Sequence, residues 1–452
     1  MWRYDMIRKI VKTILALSFV VVVMTACQTE KQEIENPQLR ILYWDEASFL
    51  NRYGNMFLAT HPNYKIEVIP LKGELVPGKD PIEVIKKMIQ NKQPDIVQTD
   101  LDAYKILVKQ NLLLSLDEFM KQDGYNLDDY VPAVLGALKD EENGKLYGLS
   151  ATFNGLGLYY NKNLFESYGV PLPQDRMTWD EVFRLAERFP KQIMSSEKPL
   201  FGFYHKYSLS PFMMALNIGE GGGLSIYDPA NKQFTIHTDA WNKVFETIIR
   251  CIKSGACYQA SEPNEPDKMD EYSILKRSYP FLEGNIAMAV EQSSMLRTMI
   301  SSQKPFGEFE WGVVSMPVHP ENPDMGNGIS MNEVFSIRSG SANREAAWEF
   351  IKYITGESYG KIAMRTNGEE LPARKSLTEK EDNSGIDSFY KLDQTNNNIV
   401  EYLRLLPSEV IGQLDQSASK YLGEVSSGQL TVAEALEAIQ NEVQSVMEEP
   451  VL

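Results

Sequence analysis

The chain has 452 residues, of which 45 are Lys or Arg and 62 are Asp or Glu, so its formal charge at neutral pH is −17. Such an acidic chain lacks the basic surface that displaces counterions from phosphate, which argues against a nucleic-acid-binding protein. Apolar residues make up 43% of the chain, and because a single core stops growing at roughly 250–300 residues, at least two lobes are expected. The three cysteines are too few for a disulfide scaffold.

The N-terminal segment predicts export from the cytoplasm. A basic head precedes the apolar run of residues 14–24, which is shorter than the roughly 20 residues that a membrane span needs. This pattern predicts a signal peptide over residues 1–26, with an uncleaved anchor helix as the alternative. The segment Met24-Thr25-Ala26-Cys27 resembles the lipobox of bacterial lipoproteins, in which the cysteine is lipidated. Cys27 is therefore the predicted lipidation site, and the polar residues 27–38 form the predicted flexible tether.

The body of the chain alternates short β-rich runs with longer helical patterns. Residues 40–44 and 64–69 have the composition of strands, and helical spacing follows each of them. This alternation predicts an α/β fold with a mainly parallel sheet that is covered on both faces. Thr178 and Thr431 each precede a glutamate by three residues, a capping-box pattern that predicts the start of a helix.

Four junctions place polar or aromatic groups directly after apolar runs, where open parallel sheets bind their ligands. Carboxylates and amides orient sugar hydroxyls, and an aromatic ring packs against the C–H face of a pyranose, so these junctions predict a sugar site. The alternative is that strand ends leading into loops are polar anyway. The predicted ligand-binding residues at the four junctions are Trp44, Asp45, Glu46, Gln98, Thr99, Asp100, Phe153, Asn154, Glu291 and Gln292.

No sequence motif for catalysis or metal binding is present. The four histidines are widely spaced, and HExxH, GxSxG and GxxxxGK[ST] patterns are absent, so no metal or cofactor is expected. A glycosidase-like pair of carboxylates stays open, since the 62 acidic residues offer many candidates. Cys251 and Cys257 form a disulfide in one interpretation and stay reduced in the other.

Several segments together resemble the extracellular solute-binding proteins of bacterial ABC importers, the family that includes maltodextrin-binding proteins. The segments are residues 144–148 (GKLYG), 158–165 (LYYNKNLF), 169–173 (GVPLP), 177–181 (MTWDE), 281–288 (FLEGNIAM), 346–351 (AAWEFI), 371–374 (LPAR) and 431–436 (TVAEAL). Each motif is weak alone, but their order and spacing span nearly all of residues 39–448.

The resemblance implies a two-lobed periplasmic-binding-protein-like fold, in which hinge crossings join two doubly wound lobes that close on a solute. It implies a first lobe of residues 39–150 and 319–380, a second lobe of residues 151–318 and 381–452, and crossings near residues 149–152, 314–318 and 376–387. It also adds Asn332 to the predicted ligand-binding residues.

The sequence thus predicts a non-enzymatic, monomeric protein that a lipid anchors to the extracytoplasmic face of the cell membrane. It would deliver a mono- or oligosaccharide to the permease subunits of an ABC importer. The alternatives are a binding protein for a polyol phosphate or a peptide-like solute, a secreted carbohydrate-active enzyme, and a sensor or scaffold. Acidic residues at the junctions, such as Asp45 and Asp100, would repel an anionic solute. Where maltodextrin binders present stacking tryptophans this chain has Thr99, Ser294 or Met295, so a maltose-like site is not expected.

Overall fold

The structure is a computed structural model that describes residues 36–76, 78–190, 199–207, 210–258, 279–301, 309–366, 370–378, 385–394, 403 and 406–448. The predicted signal peptide, Cys27 and nearly all of the predicted tether lie outside the described residues. Within the described part of the chain, no helix has the length and apolar character needed to cross a membrane.

Strands and helices alternate along most of the chain. The strands are β1 (Gln38–Tyr43), β2 (Lys65–Pro70), β3 (Ile96–Thr99), β4 (Leu113–Leu114), β5 (Gly148–Leu149), β6 (Thr152–Phe153), β7 (Leu156–Asn161), β8 (Phe201–His205), β9 (Tyr227–Asp228), β10 (Gln233–Phe234), β11 (Ile286–Gln292), β12 (Trp311–Ser315), β13 (Met325–Gly326), β14 (Val334–Arg338), β15 (Leu371–Pro372) and β16 (Asp393–Gln394).

The helices lie between these strands and at the C-terminal end of the described chain. They are α1 (Glu46–Phe49), α2 (Asn55–Thr60), α3 (Pro81–Lys92), α4 (Leu101–Lys109), α5 (Asp117–Asp123), α6 (Pro132–Leu138), α7 (Lys162–Ser167), α8 (Trp179–Ala186), α9 (Pro211–Gly221), α10 (Asp239–Ser254), α11 (Ser294–Ser301), α12 (Arg344–Ile354), α13 (Glu357–Thr366), α14 (Ser408–Ser427) and α15 (Val432–Glu448). A π-helical segment, Leu50–Gly54, joins α1 to α2. Both capping boxes are confirmed, at Thr178 before α8 and at Thr431 before α15.

The first sheet has the strand order β2-β1-β3-β14-β4, and β5 also pairs with β14. β1 runs parallel to β2 and β3, and its apolar residues Leu39, Ile41 and Leu42 are fully buried. β14 runs antiparallel to β3, β4 and β5. Because β4 and β5 oppose β14 just as β3 does, five of the six strands run in one direction and β14 alone runs against them. The expectation of a mainly parallel sheet is therefore confirmed for this half, and β14 is the exception because it arrives from the second sheet and not through a helix that would return it in the parallel direction.

The second sheet has the order β12-β7-β11-β8 and is mixed as well, with β11 parallel to β8 and antiparallel to β7. One of its faces packs against α9, α10, α14 and α15 to form a separate hydrophobic core. Its other face, which carries Tyr159 and Ala289, belongs to the core that extends from the first sheet. The fold is two-lobed, with one main sheet in each lobe.

Three crossing segments connect the two sheets. The first runs from β5 to β7, the second from β12 to β14, and the third leaves β15 for the 3-10 helix Ile386–Tyr390, which contacts β12. Short antiparallel contacts tie the crossings together, since β6 pairs with β15 and Asn154 bridges Ser330. The residue boundaries of the two lobes stay a prediction.

Cys251 and Cys257 form a disulfide, which decides between the two interpretations of these residues. Cys251 lies in the last turn of α10, which ends at Gly255 in the left-handed conformation (φ 75°). Glycine adopts this conformation without steric cost, so the chain reverses there and brings Cys257 back to the helix.

Candidate functional site

The junction after β1 is the most exposed of the predicted site. Trp44 is 45% exposed, although it directly follows a buried strand. Asp45 caps α1, where its Oδ1 accepts a hydrogen bond from the Ser48 backbone N–H at 2.8 Å. This bond stabilises the ionised carboxylate and holds the pKa of Asp45 below its usual value. Glu46 is exposed in the first turn of the helix.

The end of β3 brings a buried amide and a buried hydroxyl next to an exposed carboxylate. The buried Gln98 donates from Nε2 to the backbone carbonyl of Asn332 at 2.8 Å. Thr99 is buried and pairs with Val334 at the start of β14. Asp100 is exposed and caps α4, accepting the Ala103 backbone N–H at 2.7 Å. Both aspartates thus occupy a helix N-terminus that opens at the carboxyl end of a parallel strand.

The third junction lies in the first crossing segment. The ring of Phe153 is fully buried and packs edge-to-face against Tyr390, with ring centroids 5.5 Å apart. The Asn154 backbone N–H donates to the Ser330 carbonyl at 2.8 Å, and the Ser330 N–H donates back at 2.9 Å. Phe153 therefore supports the crossing from inside, while Asn154 connects the first crossing to the second.

The fourth predicted junction falls within the last residues of β11 and holds a buried ion pair. The Glu291 side chain has no exposed surface, and its Oε2 lies 3.1 Å from Nζ of Lys206. Nζ also lies 3.5 Å from the centre of the Tyr279 ring, a cation–π contact. Burial raises the pKa of Glu291 to about 7, and the charge of Lys206 opposes this shift. In this conformation Lys206, and not solvent, faces the carboxylate.

Gln292 connects this junction to the first crossing. Its backbone carbonyl accepts a hydrogen bond from the Tyr159 hydroxyl at 2.9 Å, and the next residue, Ser293, donates its N–H to the Gly155 carbonyl at 2.8 Å. Leu42 pairs with Val97 in the first sheet, which sets the ends of β1 and β3 side by side. The predicted junctions therefore follow one another along a continuous path across the crossings.

Sequence reasoning missed a charged cluster at the first-lobe side of this path. We call it the crossing cluster: Arg52, Glu333 and Glu370, with the side chains of Tyr43, Tyr53, Thr152 and Asn332 bonded to them. Arg52 pairs with both carboxylates, through Nε to Glu333 at 2.8 Å and through Nη2 to Glu370. Nothing in the local sequence marks these residues, because 318 positions separate Arg52 from Glu370.

The crossing cluster carries one arginine for two carboxylates and is largely shielded from solvent. The side chains of Glu333 and Glu370 are 11% and 12% exposed, and that of Arg52 is 27% exposed. Burial raises the pKa of Glu333, while the charge of Arg52 and the hydroxyls of Tyr43 and Tyr53 oppose the shift. The two tyrosine hydroxyls donate to the two oxygens of Glu333.

The polar groups along this path are suited to binding a solute. Across the described segments, no group of three or more His, Cys, Asp or Glu side chains is placed to hold a metal ion. The groups along the path are amides, carboxylates, backbone carbonyls and one exposed indole, which recognise hydroxyl groups and apolar sugar faces.

Comparison with known proteins identifies the family. The sequence pattern of the family described as bacterial extracellular solute-binding protein matches residues 43–361. The chain belongs to this family. The resemblance inferred from the short motifs is thereby confirmed, and so is the two-lobed fold.

Among curated solute-binding proteins, the multiple sugar-binding protein of Streptococcus mutans is 25% identical over 222 residues, which cover 47% of this chain and 48% of the relative. The sn-glycerol-3-phosphate-binding periplasmic protein UgpB of Brucella abortus is 22% identical over 226 residues, 48% of each chain. The chain spans about half the length of the curated relatives it matches.

Solved structures of solute-binding proteins share the fold over most of their length. A sugar transporter from Rhizobium etli in an open conformation has a TM-score of 0.63 at 20% identity, covering 90% of this chain and 99% of its own. The sugar-binding protein MalE from Xanthomonas citri has a TM-score of 0.65 at 16% identity, covering 91% and 97%. These likenesses establish the architecture of this solute-binding protein.

Proposed function

We propose that this solute-binding protein captures a neutral mono- or oligosaccharide between its two lobes and delivers it to the permease subunits of an ABC importer. It acts as a monomer without catalysis. The observation that carries the proposal is the continuous path of junctions across the crossings, from the exposed Trp44 through Asp100 and Asn332 to Gln292. A ligand that touches both lobes binds the closed state better and shifts the population toward it.

A polyol phosphate is the second candidate, since the Brucella relative is described as a glycerol-3-phosphate-binding protein. The charges along the path of junctions favour the neutral sugar. Arg52 and Lys206 each already pair with a carboxylate. Asp45 and Asp100 occupy the helix N-termini whose N–H groups would otherwise attract a phosphate. At these positions an anionic solute would face the carboxylates of Asp45 and Asp100 instead of the hydrogen-bond donors that it requires.

The experiment is a thermal-shift screen of the purified protein against mono- and oligosaccharides, with glycerol 3-phosphate, amino acids and short peptides beside them. A ligand at 100 times its dissociation constant adds about 2.7 kcal/mol to stability, which gives a clear rise in Tm. A saturable shift from one sugar class, with the sugar recovered unchanged, supports the proposal. A shift only from glycerol 3-phosphate selects the second candidate, and a cleaved sugar identifies an enzyme.

We propose further that a lipid on Cys27 anchors the protein to the extracytoplasmic face of the cell membrane. The family description and the Cys251–Cys257 disulfide support an extracytoplasmic location, since disulfides persist in oxidising compartments. Replacing Cys27→Ala should release the protein from the membrane fraction, whereas the control Met24→Leu, which keeps the cysteine, should leave it bound. Retention of the Cys27→Ala variant would instead support an uncleaved anchor helix.

A further inference from the structure

The crossing cluster lies where all three crossing segments meet the first lobe. Thr152 lies in β6, at the start of the first crossing, and Glu333 is the last residue of the second crossing before β14. Glu370 directly precedes β15, from which the third crossing departs. Side chains from three segments that are remote in sequence therefore bond to one another at one place.

Glu370 makes a separate bond to each of the other two crossings. Its Oε2 accepts a hydrogen bond from the Thr152 hydroxyl at 2.6 Å, and its Oε1 accepts one from Nδ2 of Asn332 at 3.2 Å. Arg52 binds the same carboxylate. Hydrogen bonds to an ionised acceptor are roughly twice as strong as neutral ones. The bond from Thr152 is partly buried, which limits competition from water, whereas the bond from Asn332 is exposed.

Glu333 connects the bonds around Glu370 to the rest of the first lobe. Its Oε2 receives the Tyr53 hydroxyl at 2.5 Å, its Oε1 receives the Tyr43 hydroxyl from the end of β1, and its backbone carbonyl accepts the Ser150 hydroxyl at 2.7 Å. Arg52 joins Glu333 to Glu370. The first-lobe ends of the crossings are thus cross-linked by charged groups.

Toward the second lobe, the same crossings are held by backbone contacts of another kind. Asn154 exchanges two hydrogen bonds with Ser330, and the Leu156 N–H donates to the Gly328 carbonyl at 2.9 Å. These neutral bonds lie in segments that contain Gly155 and Gly328, whose backbones are the most adaptable. The stiff and the adaptable parts of each crossing are therefore adjacent.

We propose that Glu370 is a positioning residue that holds the first-lobe ends of the three crossings together as one rigid unit. The backbone rotations that change the angle between the lobes then occur only on the second-lobe side of Asn154 and Ser330. The rigid unit also holds Asn332 and the Phe153-Asn154 pair in place before a solute arrives. Its importance for solute capture rests on the proposed function, whereas the unit itself does not depend on the identity of any solute.

The test is amide hydrogen exchange in the full-length protein without added solute. Thr152→Val removes the hydroxyl that bonds Glu370 and keeps the shape of the side chain, while Thr152→Ser keeps the hydroxyl and is the matched control. We expect the amides of Asn154, Ser330 and Ala373, which bond across the crossings, to exchange at least about tenfold faster in Thr152→Val. Thr152→Ser should exchange at the wild-type rate.

Glu370→Gln provides a second variant, because it removes the negative charge that bonds Arg52, Thr152 and Asn332. It should accelerate the same three amides and leave those in the central strands β1 and β7 unchanged. A role confined to general stability would instead accelerate the slow amides of both sheets alike, and that result would overturn the proposal. Unchanged exchange at the crossings in both variants would overturn it too. Because no solute is added, a failed solute screen leaves this result interpretable.

Discussion

The two lobes place chemically similar junctions in opposite environments. After β1 and β3 of the first sheet, Trp44 and Asp100 are exposed. Asp45, next to Trp44, and Asp100 itself cap helices that begin at the sheet edge. Near the end of β11 in the second sheet, Glu291 is fully buried beside Lys206 and Tyr279. β11 is a central strand, and the face that carries Glu291 is covered by aromatic residues and by Leu296 of α11. A polar residue after an apolar run therefore marks a strand end, while the covering elements decide whether it meets solvent.

The ion pairs of the two regions differ in the same way. In the first lobe, Arg52 serves two carboxylates, and hydroxyl and amide groups satisfy the remaining oxygen positions. In the second lobe, one lysine faces one carboxylate among tyrosine rings. Removing Arg52 should therefore destabilise the protein through repulsion between the two carboxylates of the crossing cluster. A change at the Glu291–Lys206 pair should instead alter how stability depends on protonation.

The largest effect is expected from Arg52→Met. This change leaves Glu333 and Glu370 facing each other without their cation, which should lower the free energy of unfolding by about 4 kcal/mol. Urea denaturation at pH 7 measures the loss. The control is Arg344→Met, whose pair with Glu345 is exposed and should be worth less than about 1 kcal/mol. If Arg52→Met and Arg344→Met lower the unfolding free energy equally, the ion pairs of the crossing cluster stabilise the protein no more than an exposed surface pair does.

Glu291→Gln tests the second region through pH. Folding raises the pKa of Glu291 from its usual value of 4.5 to about 7, so the folded state binds the proton more tightly than the unfolded state. The contribution of this group is therefore most favourable below pH 4.5 and is lost as pH rises to about 7, by up to about 3 kcal/mol. The variant lacks this loss. In urea denaturation, the unfolding free energy of Glu291→Gln should rise relative to that of the wild type between pH 5 and pH 8. A difference in unfolding free energy that does not change with pH would refute the raised pKa of Glu291.

The double variant Cys251→Ala, Cys257→Ala removes a covalent link that is present in the second lobe. The closed loop is short, so chain entropy predicts a loss of about 2 kcal/mol in unfolding free energy. Chemical reduction of the wild type should produce the same loss in urea denaturation, which serves as the control. If reduction and replacement both leave the midpoint unchanged, the link has no energetic role.

The smallest change in stability is expected from Trp44→Ala, because the indole is already 45% exposed. Its unfolding free energy should stay within about 0.5 kcal/mol of the wild type, while affinity for the transported solute falls by about tenfold. Calorimetric titration measures the affinity. Tyr168→Ala removes another aromatic side chain, 48% exposed, from the second lobe and should leave affinity unchanged. Wild-type affinity in Trp44→Ala would place the solute elsewhere.

The family and the two-lobed fold were accessible from sequence because short motifs, capping boxes and apolar runs are local signals. Within the site, Gln98 and Asn332 were both predicted as ligand-binding residues, and the structure joins them by a hydrogen bond. The direction of β14 and the bonds of Arg52 were not accessible. The direction of β14 and the partners of Arg52 both depend on which distant segments come into contact after the chain has crossed between the lobes. The periodicity and spacing of the sequence do not encode such long-range contacts.

The disulfide has a consequence for self-association. β8 is the edge strand of the second sheet, and an uncovered strand edge invites pairing with a neighbouring molecule. The residues around Cys257 lie along this edge, where the Tyr258 N–H donates to the Phe203 carbonyl at 2.7 Å and the Phe203 N–H donates to the Ala256 carbonyl at 3.0 Å. By linking this short segment to the end of α10, the bond between Cys251 and Cys257 holds it along β8, where it occupies backbone groups that a strand of a neighbouring molecule would otherwise pair with.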